Sequence, residues 1–85
     1  MTARKQIMDW IGGSRAHLTV RFLRGGAHLD VFEVTDESRN SITATLIRNP
    51  RGRWAITHNM IPDHDSEAHW FRFDTPQEAW EDYHS

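Results

Sequence analysis

The chain has 85 residues, of which 38% are hydrophobic and 26% charged, a composition typical of one soluble globular domain spanning residues 1–85. It contains no cysteine, which excludes a disulfide framework and favours a reducing cytoplasm. No sustained apolar run follows the basic N-terminus, so we expect neither a signal peptide nor a membrane span.

The net charge of −2 is unevenly distributed along the chain. Residues 1–53 carry nine Lys/Arg and five Asp/Glu, whereas residues 54–85 carry one Arg and seven Asp/Glu. This distribution is typical of a protein with one basic and one acidic face, or of two parts that attract each other within the fold.

The first predicted element is a short helix over residues 2–11. Its larger apolar residues fall on one helical stripe, Ile7, Met8, Trp10 and Ile11. A glycine pair follows at Gly12-Gly13, which is typical of a helix C-terminus. Because the termini of small domains are often loose, a mobile arm is the alternative.

Two alternating stretches, His17–Arg24 and Leu29–Val34, predict a β-hairpin around Gly25-Gly26. A two-residue turn at the glycine pair fixes the register between the strands. The expected cross-strand pairs are Arg24–Ala27, Phe22–Leu29, Arg21–Asp30 and Val20–Val31.

A second hairpin is predicted from Ile42–Arg48 and residues 53–58, joined at Asn49-Pro50-Arg51-Gly52. Proline suits the second position of such a turn and glycine the fourth. The simplest register gives the pairs Arg48–Arg53, Ile47–Trp54, Leu46–Ala55 and Thr45–Ile56. Trp54 would then share a face of the sheet with Ile47.

The C-terminal part predicts a strand over His69–Phe73 that runs directly into a helix. Thr75 and Glu78 have the spacing of a capping box, and Pro76 stands where a helix tolerates the loss of an N–H. The inward stripe of this helix would consist of Ala79, Trp80 and Tyr83. Together the elements predict an α+β fold, in which a capped C-terminal helix and a short N-terminal helix pack on an antiparallel sheet of four to five strands.

The stretches Gly52–Ile56 and Trp70–Tyr83 are similar to the second and third strands and the helix start of the plant ethylene-response-factor type DNA-binding domain. In that family a three-stranded sheet enters the major groove. The Arg-rich strand positions of the family correspond here to Ala55-Ile56-Thr57-His58, and the family's long helix would run past Ser85. The resemblance therefore implies an architecture of strands followed by a helix, and no function is carried over from it.

No residue pattern predicts a catalytic site or a cofactor. The serines lie outside any nucleophile-elbow pattern, and the glycine pairs fit a helix end and a turn better than a phosphate cradle. A polar cluster has side chains that bind divalent metals, but at spacings that match no known ligand pattern. Its members are His58, Asp63, His64, Asp65, Glu67 and His69. We predict no catalytic residue, cofactor or metal, and a metal site around His64 and His69 is an open alternative.

The function expected first is that of a small non-enzymatic protein-interaction or inhibitor protein that occupies a surface on a larger partner. The chain has more Trp, Phe and Tyr than a core of this size hides, and exposed aromatic side chains are typical of interfaces. An acidic surface would steer it toward a basic, nucleic-acid-handling protein. In size and plainness it resembles phage or mobile-element proteins that inhibit host complexes, including anti-CRISPR proteins. The predicted partner-binding residues are Asp63, Asp65, Glu67, Trp70, Glu78, Glu81 and Asp82.

Nucleic-acid binding through the two hairpins is the alternative function. Guanidinium groups near a Trp ring suit phosphate contacts together with stacking on a base. The residues predicted for this role are Arg24, Arg48, Arg51, Arg53 and Trp54.

Overall fold

The computed structural model describes residues 2–13, 17–24, 29–38, 42–58 and 71–84. Its elements are α1 (Ala3–Gly13), β1 (Leu18–Arg24), β2 (Asp30–Asp36), β3 (Ile42–Arg48), β4 (Trp54–Thr57) and α2 (Pro76–His84). The four strands form one antiparallel sheet in the order β1-β2-β3-β4. The predicted α+β fold, with two hairpins and a helix at each end, is confirmed.

Both helices contribute to a core on one face of the sheet. Ile7 of α1 and Ala79 of α2 are fully buried, and the Trp10 and Trp80 rings meet with centroids 5.9 Å apart. From the strands, this core receives Leu18, Phe32, Val34, Ala44, Leu46 and Trp54. We call this side of the sheet the helix face.

The opposite face of the sheet also buries apolar residues. They form a second cluster of Leu29, Val31, Ile47, Ala55 and Phe71. The strands β2 and β3 are therefore apolar on both faces, so alternation of apolar and polar residues does not specify which face meets the helices.

The first hairpin has a different register from the predicted one. Val20 pairs with Val34 rather than Val31, and Arg21 pairs with Glu33 rather than Asp30. The Arg21 Nε atom lies 3.6 Å from Glu33 Oε1. The shift is three residues, an odd number, and it therefore reverses the face on which each β2 side chain lies. Burial of Phe32 and Val34 beneath the helices outweighs the preference for a two-residue turn.

In the second hairpin the predicted register is wrong by one residue. Arg48 pairs with Trp54 and Ile47 with Ala55, so Trp54 lies on the helix face and Ile47 on the other. The turn closes with the Asn49 N–H donating to the Arg53 carbonyl at 3.0 Å, which leaves a three-residue loop.

Two features of the Asn49–Arg53 turn stabilise this shorter loop. Gly52 adopts a φ of 85°, in the left-handed region that side chains disfavour. Asn49 Oδ1 accepts hydrogen bonds from the N–H groups of Arg51 and Arg53, at 3.1 and 2.9 Å. The buried Asn49 side chain thus accepts hydrogen bonds from backbone N–H groups that would otherwise need partners in the sheet.

The predicted start of the C-terminal helix is confirmed. Thr75 Oγ1 accepts a hydrogen bond from the Glu78 N–H at 3.1 Å, and the helix begins at Pro76. Ala79 and Trp80 are buried as predicted, whereas Tyr83 is 39% exposed. Of the predicted fifth strand, Phe73 forms an isolated antiparallel bridge with Trp54, and the first two residues of that strand lie outside the described residues.

The N-terminal helix packs on the domain. Thr2 caps it, since its Oγ1 accepts a hydrogen bond from the Lys5 N–H at 3.1 Å. Ile7 is buried, but Met8, predicted on the same stripe, is 51% exposed. Gln6 joins the helix to the sheet, because its Oε1 accepts a hydrogen bond from Trp54 Nε1 at 3.1 Å.

Candidate protein-binding edge

A groove lies between α1 and the edge strand β1, on the helix face. Its volume is about 320 Å³, and its lining consists of Arg4, Ile7, Met8, Val20, Phe22 and Phe32. We call it the edge groove. Two of the most exposed large apolar side chains of the described residues meet here, Met8 at 51% and Phe22 at 42% exposure. Apolar side chains that converge beside an open strand are typical of a binding surface.

The aromatic wall of the edge groove is held in place by neighbouring groups. The Phe22 ring contacts Phe32 at a centroid distance of 5.3 Å, and Phe32 contacts the buried Trp54 ring at 5.9 Å. The Arg4 guanidinium carbon also lies over the Phe22 ring, 4.4 Å from its centroid. This arrangement fixes an exposed ring between a cation and the core, which lowers the entropic cost of using it in binding.

The backbone of β1 presents unpaired groups along the same edge. The Glu37 N–H donates to the His17 carbonyl at 2.8 Å, which makes 17 and 37 a hydrogen-bonded pair. Such pairs alternate in an antiparallel ladder, so Thr19 and Arg21 also bond to β2. The backbone groups of Val20 and Phe22 then point away from β2. Among the described residues, no strand lies on that side of β1.

A second concavity adjoins the edge groove at the N-terminus of α1. It has a volume of about 400 Å³ and is lined by Thr2, Ala3, Arg4, Phe22, Asp30, Phe32 and Arg48. We call it the end pocket. It shares Arg4, Phe22 and Phe32 with the edge groove, so the two depressions lie next to each other.

The described members of the set predicted for nucleic-acid binding occupy different environments. Trp54 is fully buried, so its ring is not exposed for stacking on a base. Arg48 lines the end pocket, whereas Arg51 is exposed in the β3–β4 turn. For Arg24, the structure describes the backbone at the end of β1. Nucleic-acid binding by these arginines stays a prediction.

Arg53 has a structural role within the domain. Its guanidinium forms an ion pair with Asp74 and donates to the Arg72 carbonyl at 2.8 Å. Its Nε also donates to the Phe71 carbonyl at 3.4 Å. Arg53 therefore ties the start of β4 to the segment that precedes α2.

The predicted acidic surface is described only where it lies on α2. Glu78, Glu81 and Asp82 are all exposed there, while Asp63, Asp65, Glu67 and Trp70 lie outside the described residues. Asp82 pairs with Arg72 at 3.0 Å, and Glu81 accepts a hydrogen bond from Gln77 at 2.9 Å. These contacts leave a partly neutralised acidic face, and its role in partner binding stays a prediction.

The polar cluster considered for metal binding is represented by His58 alone among the described residues. Its Nδ1 lies 3.1 Å from the Tyr83 hydroxyl, a hydrogen bond that joins the end of β4 to α2. His64 and His69 lie outside the described residues, so the alternative metal site stays a prediction.

Sequence reasoning missed the edge groove because the groove depends on where α1 crosses the sheet. Met8 was assigned to the buried stripe, and Arg4 was considered only as part of a basic terminus. A usable signal was present nonetheless. Phe22 and Leu23 stand side by side in β1, so one large apolar residue lies on each face of a strand that follows a polar segment.

Comparison with known proteins gives no relative for this chain. No family model matches it, and neither the curated proteins nor the solved structures provide a match. The resemblance to the ethylene-response-factor type domain therefore stays one of sequence pattern. Within the described residues, neither α1 nor α2 has the length and continuous apolar character that a membrane-crossing helix requires.

Proposed function

We propose that this protein is a non-enzymatic interaction module that binds a larger protein through the edge groove and the outer edge of β1. The observation that carries this proposal is the convergence of exposed Met8 and Phe22 beside an edge strand with outward backbone groups. An inhibitor that acts by covering a partner surface would use the same mode of binding.

The mode of binding proposed is addition of a strand. An extended segment of the partner pairs with the outward backbone groups of Val20 and Phe22, which provides affinity with little dependence on sequence. Every second side chain of that segment then points toward α1 and enters the edge groove. Apolar side chains fit this position, because Met8 and Phe22 form the exposed walls.

Charge favours an acidic segment over a basic one. Arg4 lies at the groove, and Arg21 is exposed on the outer strand, although it is paired with Glu33. A partner segment with acidic residues among its apolar ones would meet attractive charges along this edge, which increases the association rate and suppresses basic competitors.

The test is capture of a partner from a lysate of the source organism, with and without nuclease treatment, using tagged wild-type protein and two matched variants. Phe22→Ser removes the exposed ring from the edge groove, while Ile42→Ser removes a side chain of similar exposure, 39%, from β3. We expect Phe22→Ser to reduce capture by about tenfold or more, as for a hot-spot aromatic residue, and Ile42→Ser to retain it.

Folding of each variant is checked by thermal unfolding, since Phe22 is partly buried and the loss of its ring costs about 1–2 kcal/mol. Equal capture by the wild type and Phe22→Ser would refute the proposed surface. Loss of the partner on nuclease treatment would instead favour the nucleic-acid alternative.

A further inference from the structure

Arg48, which lines the end pocket, has a buried guanidinium nitrogen without a hydrogen bond. Arg48 Nε is the one buried side-chain nitrogen or oxygen of the described residues that lacks a hydrogen bond. Buried polar atoms are nearly always hydrogen-bonded, and those of charged groups most of all. No ion pair or hydrogen bond among the described residues engages the Arg48 guanidinium, so this side chain in the pocket lining retains donors for a ligand that supplies an acceptor.

The protein itself offers Arg48 an acceptor that the side chain does not use. Asp30 is its cross-strand neighbour, and both side chains lie on the helix face at the end pocket. The four ion pairs of the described residues nevertheless involve other groups. The Arg48 guanidinium lies instead beside the β3–β4 turn, with Nη2 3.3 Å from where a Cβ on Gly52 would stand.

The charges around the end pocket favour an anion with a single charge. Arg4 and Arg48 contribute two positive charges and Asp30 one negative charge. Thr2 and Ala3 add the first turn of α1, where backbone N–H groups carry partial positive charge. A carboxylate matches this balance, and its planar pair of oxygens suits the donors of a guanidinium.

We infer that the end pocket binds the side-chain carboxylate of an Asp or Glu in the partner segment that occupies the edge groove. This inference rests on the proposed function, and it adds a sequence requirement to it. Because Arg4, Phe22 and Phe32 line both depressions, one extended segment can place an apolar residue in the groove and an acidic residue in the pocket. Both depressions are partly open to solvent, so a side chain carried by a macromolecule can reach them.

A first experiment tests the pocket without any partner. Propionate is titrated into ¹⁵N-labelled protein, and the Nε–H resonances of the arginines are followed by NMR, with Arg48 assigned from the Arg48→Lys variant. Arg51 is the matched control, since it is exposed in the adjacent turn. We expect a saturable shift at Arg48 that is at least about tenfold larger than at Arg51 and absent with neutral propionamide. Equal shifts at both arginines, or no shift at Arg48, would overturn the inference.

A second experiment separates this inference from the proposed function. Arg48→Gln and Arg51→Gln are compared with Phe22→Ser in the partner capture described above. We expect Arg48→Gln to weaken capture about tenfold, because it removes a charge-assisted contact, and Arg51→Gln to leave it unchanged.

The outcomes of the two experiments are distinguishable. Capture that depends on Phe22 but not on Arg48, with no propionate response, overturns the carboxylate pocket and leaves the proposed function in place. A propionate response at Arg48 with capture independent of Phe22 would show that no partner segment binds in the edge groove. It would therefore refute the proposed function.

Discussion

The two outer edges of the sheet are treated differently by the rest of the chain. At β4, Phe73 exchanges two backbone hydrogen bonds with Trp54, at 2.8 and 3.2 Å, and Arg53 ties the same segment through its guanidinium. At β1, no described residue pairs with the outward backbone groups of Val20 and Phe22. We call these the closed edge and the open edge.

The two edges differ in how far other parts of the chain cover the edge strand. Trp54, the largest fully buried side chain of the described residues, lies on the closed edge, where the segment before α2 covers the strand. The open edge carries a half-exposed aromatic ring instead. Proteins usually protect such an edge with charges or a bulge, and here Arg21 and a register irregularity between Phe22 and Arg24 limit pairing to the first part of β1. Under the proposed function, this edge would pair with a short partner strand.

The largest expected loss of stability comes from a buried ring at the closed edge, compared with a partly exposed ring at the open edge. Trp54→Ala removes a fully buried ring that contacts Phe32 and donates to Gln6, so we expect the free energy of unfolding to fall by about 3–5 kcal/mol. Phe22→Ala removes a ring that is 42% exposed and should cost about 1–2 kcal/mol. Urea unfolding of both variants measures the difference, and equal losses would contradict the contrast between the edges.

A pair of proline variants tests the direction of the backbone groups in β1. Thr19→Pro removes an N–H that bonds to β2, whereas Val20→Pro removes one that points outward, where proline is tolerated in edge strands. We expect Thr19→Pro to be about 1–3 kcal/mol less stable than Val20→Pro, which should still fold but lose partner capture. The opposite order of stability in thermal unfolding would show that the outward side of β1 has been assigned to the wrong residues.

The closed edge is also tested by two arginines of the same turn. Arg53→Ala loses the contacts to Asp74 and to the carbonyls of Phe71 and Arg72, and because Arg53 and Asp74 are partly exposed we expect a loss of about 1–2 kcal/mol. Arg51→Ala, at an exposed position, should change stability by less than about 0.5 kcal/mol. If the two variants unfold at the same urea concentration, Arg53 does not hold the closed edge.

The smallest expected changes in stability come from alanine substitutions at two glycines, one with a positive φ and one within a helix. Gly52→Ala places a side chain at a φ of 85° in the turn that leads into the closed edge, and should cost about 1 kcal/mol. Gly12→Ala, in α1 with no atom within 4 Å of the new Cβ, should stabilise the protein by about 0.5–1 kcal/mol. Melting temperatures that move in the same direction for both variants would contradict these backbone assignments.

The elements could be predicted from the sequence where a local signal determines them. The span Ile42–Arg48 and the Thr75 cap follow from residues close in the chain, and both are observed. Registers were not predictable in this way, because Val31 and Phe32 are both buried and alternation offers no preference between the faces. In the second hairpin the competing factor was the Asn49 side chain, which satisfies backbone donors and shortens the loop by one residue.

The candidate site depends on contacts that no local pattern encodes. Phe22 was correctly assigned to the same face as Val20, but its exposure follows from the path of α1, which leaves Met8 and Arg4 beside it. The unpartnered state of Arg48 could not be predicted from the sequence either, since the pairing of Arg48 with Asp30 is known only from the observed register. A sequence pattern gives the composition of a face, whereas a depression arises from how elements cross.

The side chain of Gln6 connects parts of the chain that are far apart in sequence. It accepts from Trp54 Nε1, 48 residues away, and its Nε2 donates to the Asp74 carbonyl at 3.4 Å, 68 residues away. The strands, by contrast, pair only with their neighbours in sequence, so the sheet closes short loops and is expected to form early. Docking of α1, which depends on contacts between residues far apart in sequence, is then expected to follow formation of the sheet.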